Sequence, residues 1–328
     1  MAPLSEDIWK EIKSNQVLPL MGSAIPAEGN GFHDTISWRV NFQNFRSEND
    51  ELHSSWFHMV YLRDLSNYMN PSYTIQRSGS PSIEITNCTN HFSATLLRYF
   101  NSGNSSRSLD FLSEIGRWAK YLCHDGRLIF EIVGWYDNDS KQFYGFELLR
   151  LPSEFCQLKK NHVIFSAPKE NNKIGEVKIP IEKCVIIEFP KELGGFKGYK
   201  KVEKKILKLG SRHGKSSDPT ANMEYSKSWE QNFNKILIDW GNNNSADNTT
   251  EFYQTYTKLK FKHTSALCLH EVVEGFGKLV DFLNNKFKEK AKVEFEYTKF
   301  DLIQCKKKKN DWLKGKLSVK EAIDFYLK

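Results

Sequence analysis

Residues Gly210-Ser211-Arg212-His213-Gly214-Lys215-Ser216 have the side-chain types of a phosphate-binding loop, in which backbone amides and one lysine cradle a nucleotide's phosphates. That chemistry needs four residues between the first glycine and the Gly-Lys pair, and here there are only three. A basic segment also precedes the loop where a buried strand should, so no ATP site is expected. His270 and Glu274 are four apart on a helical segment and share one face, as two metal ligands would. The second histidine of a zincin helix is missing, so a partly exposed helical pair is the expectation. The acids Asp137, Asp139, Glu147 and Glu154 have no spacing that nominates a nuclease. A nucleophilic triad meets only in three dimensions and is not readable here. The sequence therefore nominates no catalytic residue, no metal site and no cofactor.

The remaining chemistry is cationic. The 328 residues carry a net charge of +7, and the lysines gather in the C-terminal half. Lys197, Lys200, Lys201, Lys204, Lys205, Lys208, Arg212 and Lys215 form one belt, and Lys306 to Lys309 with Lys314 and Lys316 form another. Such runs are first of all solvated helix faces, and second the footprint of phosphate contact.

Six cysteines lie far apart, mostly inside apolar segments, without the close spacing of a zinc knuckle or redox pair, and read as reduced thiols. Residues 1–21 mix charges with Ile8, Trp9, Ile12, Val17 and Leu18 and lack the basic start and apolar core of a secretory signal. The sequons at Asn87, Asn104 and Asn248 are then expected to be polar loop residues. With 27% charged residues and no apolar run near the roughly 20 residues that span a bilayer, no membrane segment is expected.

The elements that would position the lysines follow from periodicity. A chain of this length predicts two lobes, because single cores stop growing at about 250 to 300 residues. Met1 to Gly31 reads as an arm. Ile36, Trp38, Val40 and Phe42 alternate as in a strand, and 49–68 shifts to helical spacing with an aromatic face suited to core packing. Tyr73 to Thr86, broken by Ser78-Gly79-Ser80-Pro81, predicts a hairpin. Ser108 is the expected N-cap of a helix whose apolar face runs through Leu109, Leu112, Ile115, Trp118, Ala119 and Leu122. After His124-Asp125-Gly126, strands are expected over Leu128–Trp135, Phe143–Leu151, Val163–Phe165, Gly175–Ile179 and Cys184–Phe189 as a meander, making an α+β domain. Trp229, Phe233, Ile236, Leu237 and Trp240 mark one further helix, and Leu269 to Phe287 a long one. Gly315 suits a left-handed helix stop, and Ser318 with Glu321 a capping box.

Three segments together resemble the portal proteins of tailed bacteriophages. The helix Leu109–Leu122, the Asp-Gly turn into Leu128-Ile129-Phe130-Glu131-Ile132, and Leu149-Arg150-Leu151-Pro152 are similar to the family's wing domain. Ile179-Pro180 through Phe189-Pro190, then Gly194-Gly195-Phe196-Lys197-Gly198-Tyr199, resembles the strand, glycine turn and helix that enter the stem. Phe295-Glu296-Tyr297, Phe300-Asp301-Leu302 and Trp312 to Ala322 resemble the closing strand and helices. These pieces cover about half the chain, and the polar stretch 211–261 departs from the longer clip and stem that many portals carry.

The resemblance implies a portal-like α+β fold: an arm over 1–35, a mixed α/β wing over 36–195, stem- and clip-like helices with a loop over 196–261, and a long helix, strand and C-terminal helices over 262–328. It implies a homo-oligomeric ring, dodecameric as in the family, located in the virion after assembly in the host cytoplasm. Implied partners are double-stranded DNA, the major capsid protein, the terminase motor and neck or adaptor proteins, with no membrane. It also makes Lys200, Lys201, Lys204, Lys205 and Lys208 the candidates for contact with DNA in the channel. A nucleic-acid-binding module of small oligomeric state and an enzyme of unrecognised class remain the alternatives.

Overall fold

Turn residues and apolar periodicity set most of the elements, and long-range pairing sets their order. The structure, a computed structural model, describes residues 61–69, 82–90, 92, 96, 107–136, 143–166, 177–209, 219–242, 250–296, 302–318 and 320–322. In chain order these form α1 (Arg63–Met69), β1 (Ser82–Thr86), α2 (Arg107–Asp125), β2 (Arg127–Tyr136) and β3 (Phe143–Leu151). Next come β4 (Cys156–Leu158), β5 (His162–Phe165), β6 (Val177–Pro180), β7 (Cys184–Glu188) and α3 (Gly195–Lys208). The chain continues with α4 (Pro219–Ile236), α5 (Glu251–Phe287), β8 (Lys292–Glu296) and α6 (Leu302–Leu313). Separate antiparallel sheets packed with helices make the fold α+β.

Strand β2 lies between β3 and β7, antiparallel to both. Its two faces enter different cores. Leu128, Phe130 and Ile132, with Val185 and Ile187 of β7 and Phe146 and Leu148 of β3, pack into the main core with α2 and α5. Ile129, with Leu151, Cys184 and Ile186, meets Val163, Phe165 and Ile179 of a second sheet, ordered β4-β5-β6. Burial on both sides explains why β2 is a continuous apolar run instead of an alternating one. Helix α2 buries Ile115, Trp118, Ala119 and Leu122 in the main core. The centroid of the Trp118 ring lies 4.9 Å from that of Phe130.

Two expectations are corrected. Helix α2 already includes Arg107, so Ser108 lies inside it and is not its N-cap; the run Asn101 to Ser106 offers several other capping residues, and spacing alone does not choose among them. The expected meander is two sheets, because β2 has an apolar surface on both faces and takes β7 from more than 45 residues further on as its second neighbour. Strand β1 pairs with β8, from Ser82 opposite Glu296 to Thr86 opposite Lys292, a long-range partner that local spacing does not indicate. The first arm of the expected hairpin, residues 1–35 and the expected strand at 36–45 lie outside the described residues. Near the C-terminus Gly315 is left-handed (φ 70°), and Ser318 and Glu321 bond reciprocally as a capping box. Helix α5 is continuous across residue 261, and the main core collects side chains from Tyr61 to Ala291.

Gly126 is the tightest joint of this arrangement. It ends α2 at φ 69°, and its amide donates to the Leu122 carbonyl at 2.8 Å. A Cβ placed there would fall inside the ring of Tyr199. Gly126→Ala combines left-handed strain of about 1–2 kcal/mol with overpacking of about 1–3 kcal/mol. Urea unfolding should show a loss of about 3 kcal/mol; an unchanged midpoint would contradict the described packing.

Candidate nucleic-acid interface

Helix α3 begins at a turn only glycine makes cheaply. Pro190 leads into a short 3-10 turn over Lys191–Leu193, Gly194 closes it at φ 94°, and the Gly195 amide returns to the Pro190 carbonyl at 2.9 Å. From there Tyr199, Glu203 and Ile206 recur at i, i+4 and i+7 and are buried. Lys197, Lys201, Lys204 and Lys208 recur at i, i+4, i+7 and i+11 on the opposite face and are exposed, with Lys205 exposed beside them. Eleven residues of helix place the ends of this stripe about 16 Å apart.

The buried face fixes where the stripe points. The Tyr199 hydroxyl donates to the carbonyls of Cys123 (2.9 Å) and His124 (2.8 Å), which belong to the last turn of α2, where carbonyls lack helical partners. Its ring lies 5.4 Å from Phe189 and 5.9 Å from Trp240, centroid to centroid. At the start of α3 the Arg127 guanidinium sits 3.8 Å over the Phe196 ring while pairing with Glu188, its cross-strand partner, at 2.6 Å. Sheet, α2 and α3 are thereby held in one geometry.

Glu203 is the one acid in α3, and it is buried. Its carboxylate bonds Lys200 at 2.7 Å, which draws Lys200 toward the helix surface and leaves it half-buried. Among the described residues Lys197, Lys201, Lys204, Lys205 and Lys208 form no ion pair. Of the five lysines nominated from the sequence, four therefore share an uncompensated face, and Lys200 flanks it as a half-screened member. A row of flexible ammonium groups without a shape-specific pocket suits phosphate contact that positions a duplex and reads no bases.

The other candidates separate. His270 and Glu274 are both exposed on α5, and among the described residues no three His, Cys, Asp or Glu side chains gather to hold a metal. The 210–216 loop lies outside the described residues. Cys123 and Cys268 are fully buried, and burial pushes both thiols up, away from the thiolate form a nucleophile needs. Cys88, Cys156 and Cys184 are likewise reduced, outside any disulfide among the described residues. Among the described residues no helix is long and apolar enough to cross a membrane.

Sequence reading placed Gly126 at a helix stop but missed Arg127 and the packing roles of Tyr199 and Phe196. The i, i+4, i+7 spacing of Tyr199, Glu203 and Ile206 did signal a buried face opposite the lysines, whereas the contacts of Tyr199 with α2 join residues 75 apart and leave no local trace. No protein-family model, curated protein or solved structure matches the chain.

Two outcomes follow. Tyr199→Phe removes the donor shared by the Cys123 and His124 carbonyls and should cost about 1–2 kcal/mol in urea unfolding; a neutral result would dismiss the clamp. Lys201, Lys204, Lys205 and Lys208 replaced together by glutamine should leave stability within about 1 kcal/mol, since exposed substitutions perturb folding little. The same variant should bind duplex DNA more weakly, with the salt dependence log Kobs versus log[salt] shallower by about 3–4 units.

Proposed function

We propose that the chain is a portal-like structural protein that closes into a homo-oligomeric ring at a viral capsid vertex and conducts double-stranded DNA during packaging and ejection. The observation that carries this reading is the exposed lysine stripe of α3, held at a fixed angle by the burial of Tyr199 on the opposite face. In the resemblance that same helix follows the glycine turn and borders the channel. Repeated around a ring, the stripe would present a belt of positive charge to a passing duplex. Lysines would hold the phosphates weakly and without sequence preference, so DNA could slide.

The protein's part would be passive. It would provide the conduit, a separate terminase motor would do the work, and the major capsid protein and neck or adaptor proteins would contact its outer surfaces. Contacts of the head-to-tail kind close into rings when the rotation between copies divides a full turn, and a dodecamer is the state the resemblance implies. The fold itself supports only the coarser statement that the chain is α+β. The same lysines would also serve a nucleic-acid-binding module of small oligomeric state, and the oligomer decides between the two.

Mass measurement in solution together with negative-stain imaging of the purified protein should show large closed rings. A monomer or dimer at every concentration, with or without DNA and capsid partners, would sink the portal reading. Glutamine at Lys200, Lys201, Lys204, Lys205 and Lys208 should reduce packaged DNA while rings persist; full packaging by that variant would remove α3 from the channel.

A further inference from the structure

The second basic belt is not absorbed by α3, and folding gathers it further. Helix α6 docks on α5 through Trp312, which is buried and lies 5.7 Å from the Tyr256 ring in a stacked pair. Leu259, Leu317 and Ala322 complete this small core, so the turn at Gly315 and the capping-box start of the next helix fold back around Trp312. The Lys316 amide bonds the Asp311 carbonyl at 2.8 Å and fixes that return. Residues 306–321 hold seven lysines against two acids, Asp311 and Glu321. Glu321 is occupied: bonds from Ser318 and the nearby charge of Lys308 hold its carboxyl below the usual range. Lys307, Lys314, Lys316 and Lys320 are exposed around the wedge and, among the described residues, have no ion pair.

This face is separate from the α3 stripe. Phe261 and Thr264 of α5 face the aromatic cluster that holds Tyr199 and Trp240, Thr264 donating to the Trp240 carbonyl at 2.9 Å. Tyr256 and Leu259, which carry Trp312, project from α5 about 140° away from them at the helical advance of about 100° per residue. Helices α3 and α6 therefore flank different sides of α5.

We propose that α6, the Gly315 turn and the capped start of the following helix form a second nucleic-acid-binding face that takes the phosphodiester backbone. The face has lysines and no arginine, so it offers no bidentate recognition of a particular carboxylate or phosphate, and it favours a uniform polyanion. Leu313 is its one large exposed apolar side chain among the described residues, too little for a peptide groove or for insertion into a bilayer. The face does not depend on ring closure or on the role of α3.

The test uses the full chain, a short labelled duplex of random sequence, and four proteins. These are the wild type, an α3 variant (Lys201→Gln, Lys204→Gln, Lys205→Gln, Lys208→Gln), an α6 variant (Lys307→Gln, Lys314→Gln, Lys316→Gln, Lys320→Gln) and their combination. The α3 variant should retain residual binding that the combined variant loses, by about tenfold or more at low salt, with the salt slope falling by about a further 3 units. If the α6 substitutions change nothing in either background, the proposal is overturned while the α3 assignment stands. If the α6 variant loses all binding and the α3 variant none, the second face stands and the α3 assignment falls. Vesicles containing phosphatidylserine serve as the competing surface: loss of vesicle binding with duplex binding intact overturns the proposal in favour of a membrane contact. Should the fourfold α6 variant unfold, Lys314→Gln with Lys316→Gln, both in the turn outside the helix, reads the same outcome.

Discussion

The stacking of Trp240 against its neighbours is the interaction on which the arrangement depends. Its ring lies 4.6 Å from Phe189 at the end of β7, 5.9 Å from Tyr199 of α3 and 6.5 Å from Tyr61 before α1, while Phe261 of α5 approaches Tyr61 at 5.7 Å. Tyr61 and the 189–199 segment thus meet at one indole, and Tyr61 extends the cluster to α5. Aromatic pairs of this kind contribute about 0.5–1.5 kcal/mol each beyond area burial. The polar edges are satisfied as well: Tyr61 donates to the Gly241 carbonyl at 3.0 Å, and Thr264 to that of Trp240 at 2.9 Å. No Cβ fits at Gly241, where it would strike the backbone of Thr257 and Phe261. The turn after α4 is therefore seated directly on α5, and α3 inherits its position from the same contacts.

This division of labour separates stability from binding charge. The inner face of α3 is apolar except for the Tyr199 hydroxyl and Glu203, which is engaged by Lys200, and the outer lysines make no hydrogen bond or ion pair within the described residues. At α6 Trp312 docks the element, and Lys307, Lys314, Lys316 and Lys320 are exposed around it without an ion pair among the described residues. Like charges kept close on a surface repel one another and are relieved by counterions or by a polyanion, so both faces gain from phosphate and weaken with salt. Ion pairs that organise the fold lie elsewhere, on buried or half-buried partners such as Arg150 with Asp125 and Arg127 with Glu188.

Local patterns were legible where local physics decides. Phe143–Leu151 was read at its observed bounds, because Asp137-Asn138-Asp139 has the residue types of a turn and a largely apolar run follows from Phe143. The Gly126 stop, the Gly194 turn and the Ser318–Glu321 capping box were also readable, since each is written in the backbone preferences of one or two residues. What was not legible was long-range pairing. β1 finds β8 across about 200 residues, and β2 finds β7 past four intervening strands, choices set by which apolar faces remain to be covered. The lysines of α3 were visible as a belt, but their common face, and the partial withdrawal of Lys200 into its pair with Glu203, became clear only once the helix limits and the burial of Tyr199 were fixed.

The central claim is that the outer face of α3 touches duplex DNA in the assembled protein. A photo-crosslinker at position 204, with position 274 on the exposed face of α5 as control, measures this directly. Position 204 should crosslink to duplex DNA in large assemblies, with a yield that falls as salt rises, and position 274 should not. Equal yields from the two positions, or none from 204 in DNA-bound assemblies, would contradict it.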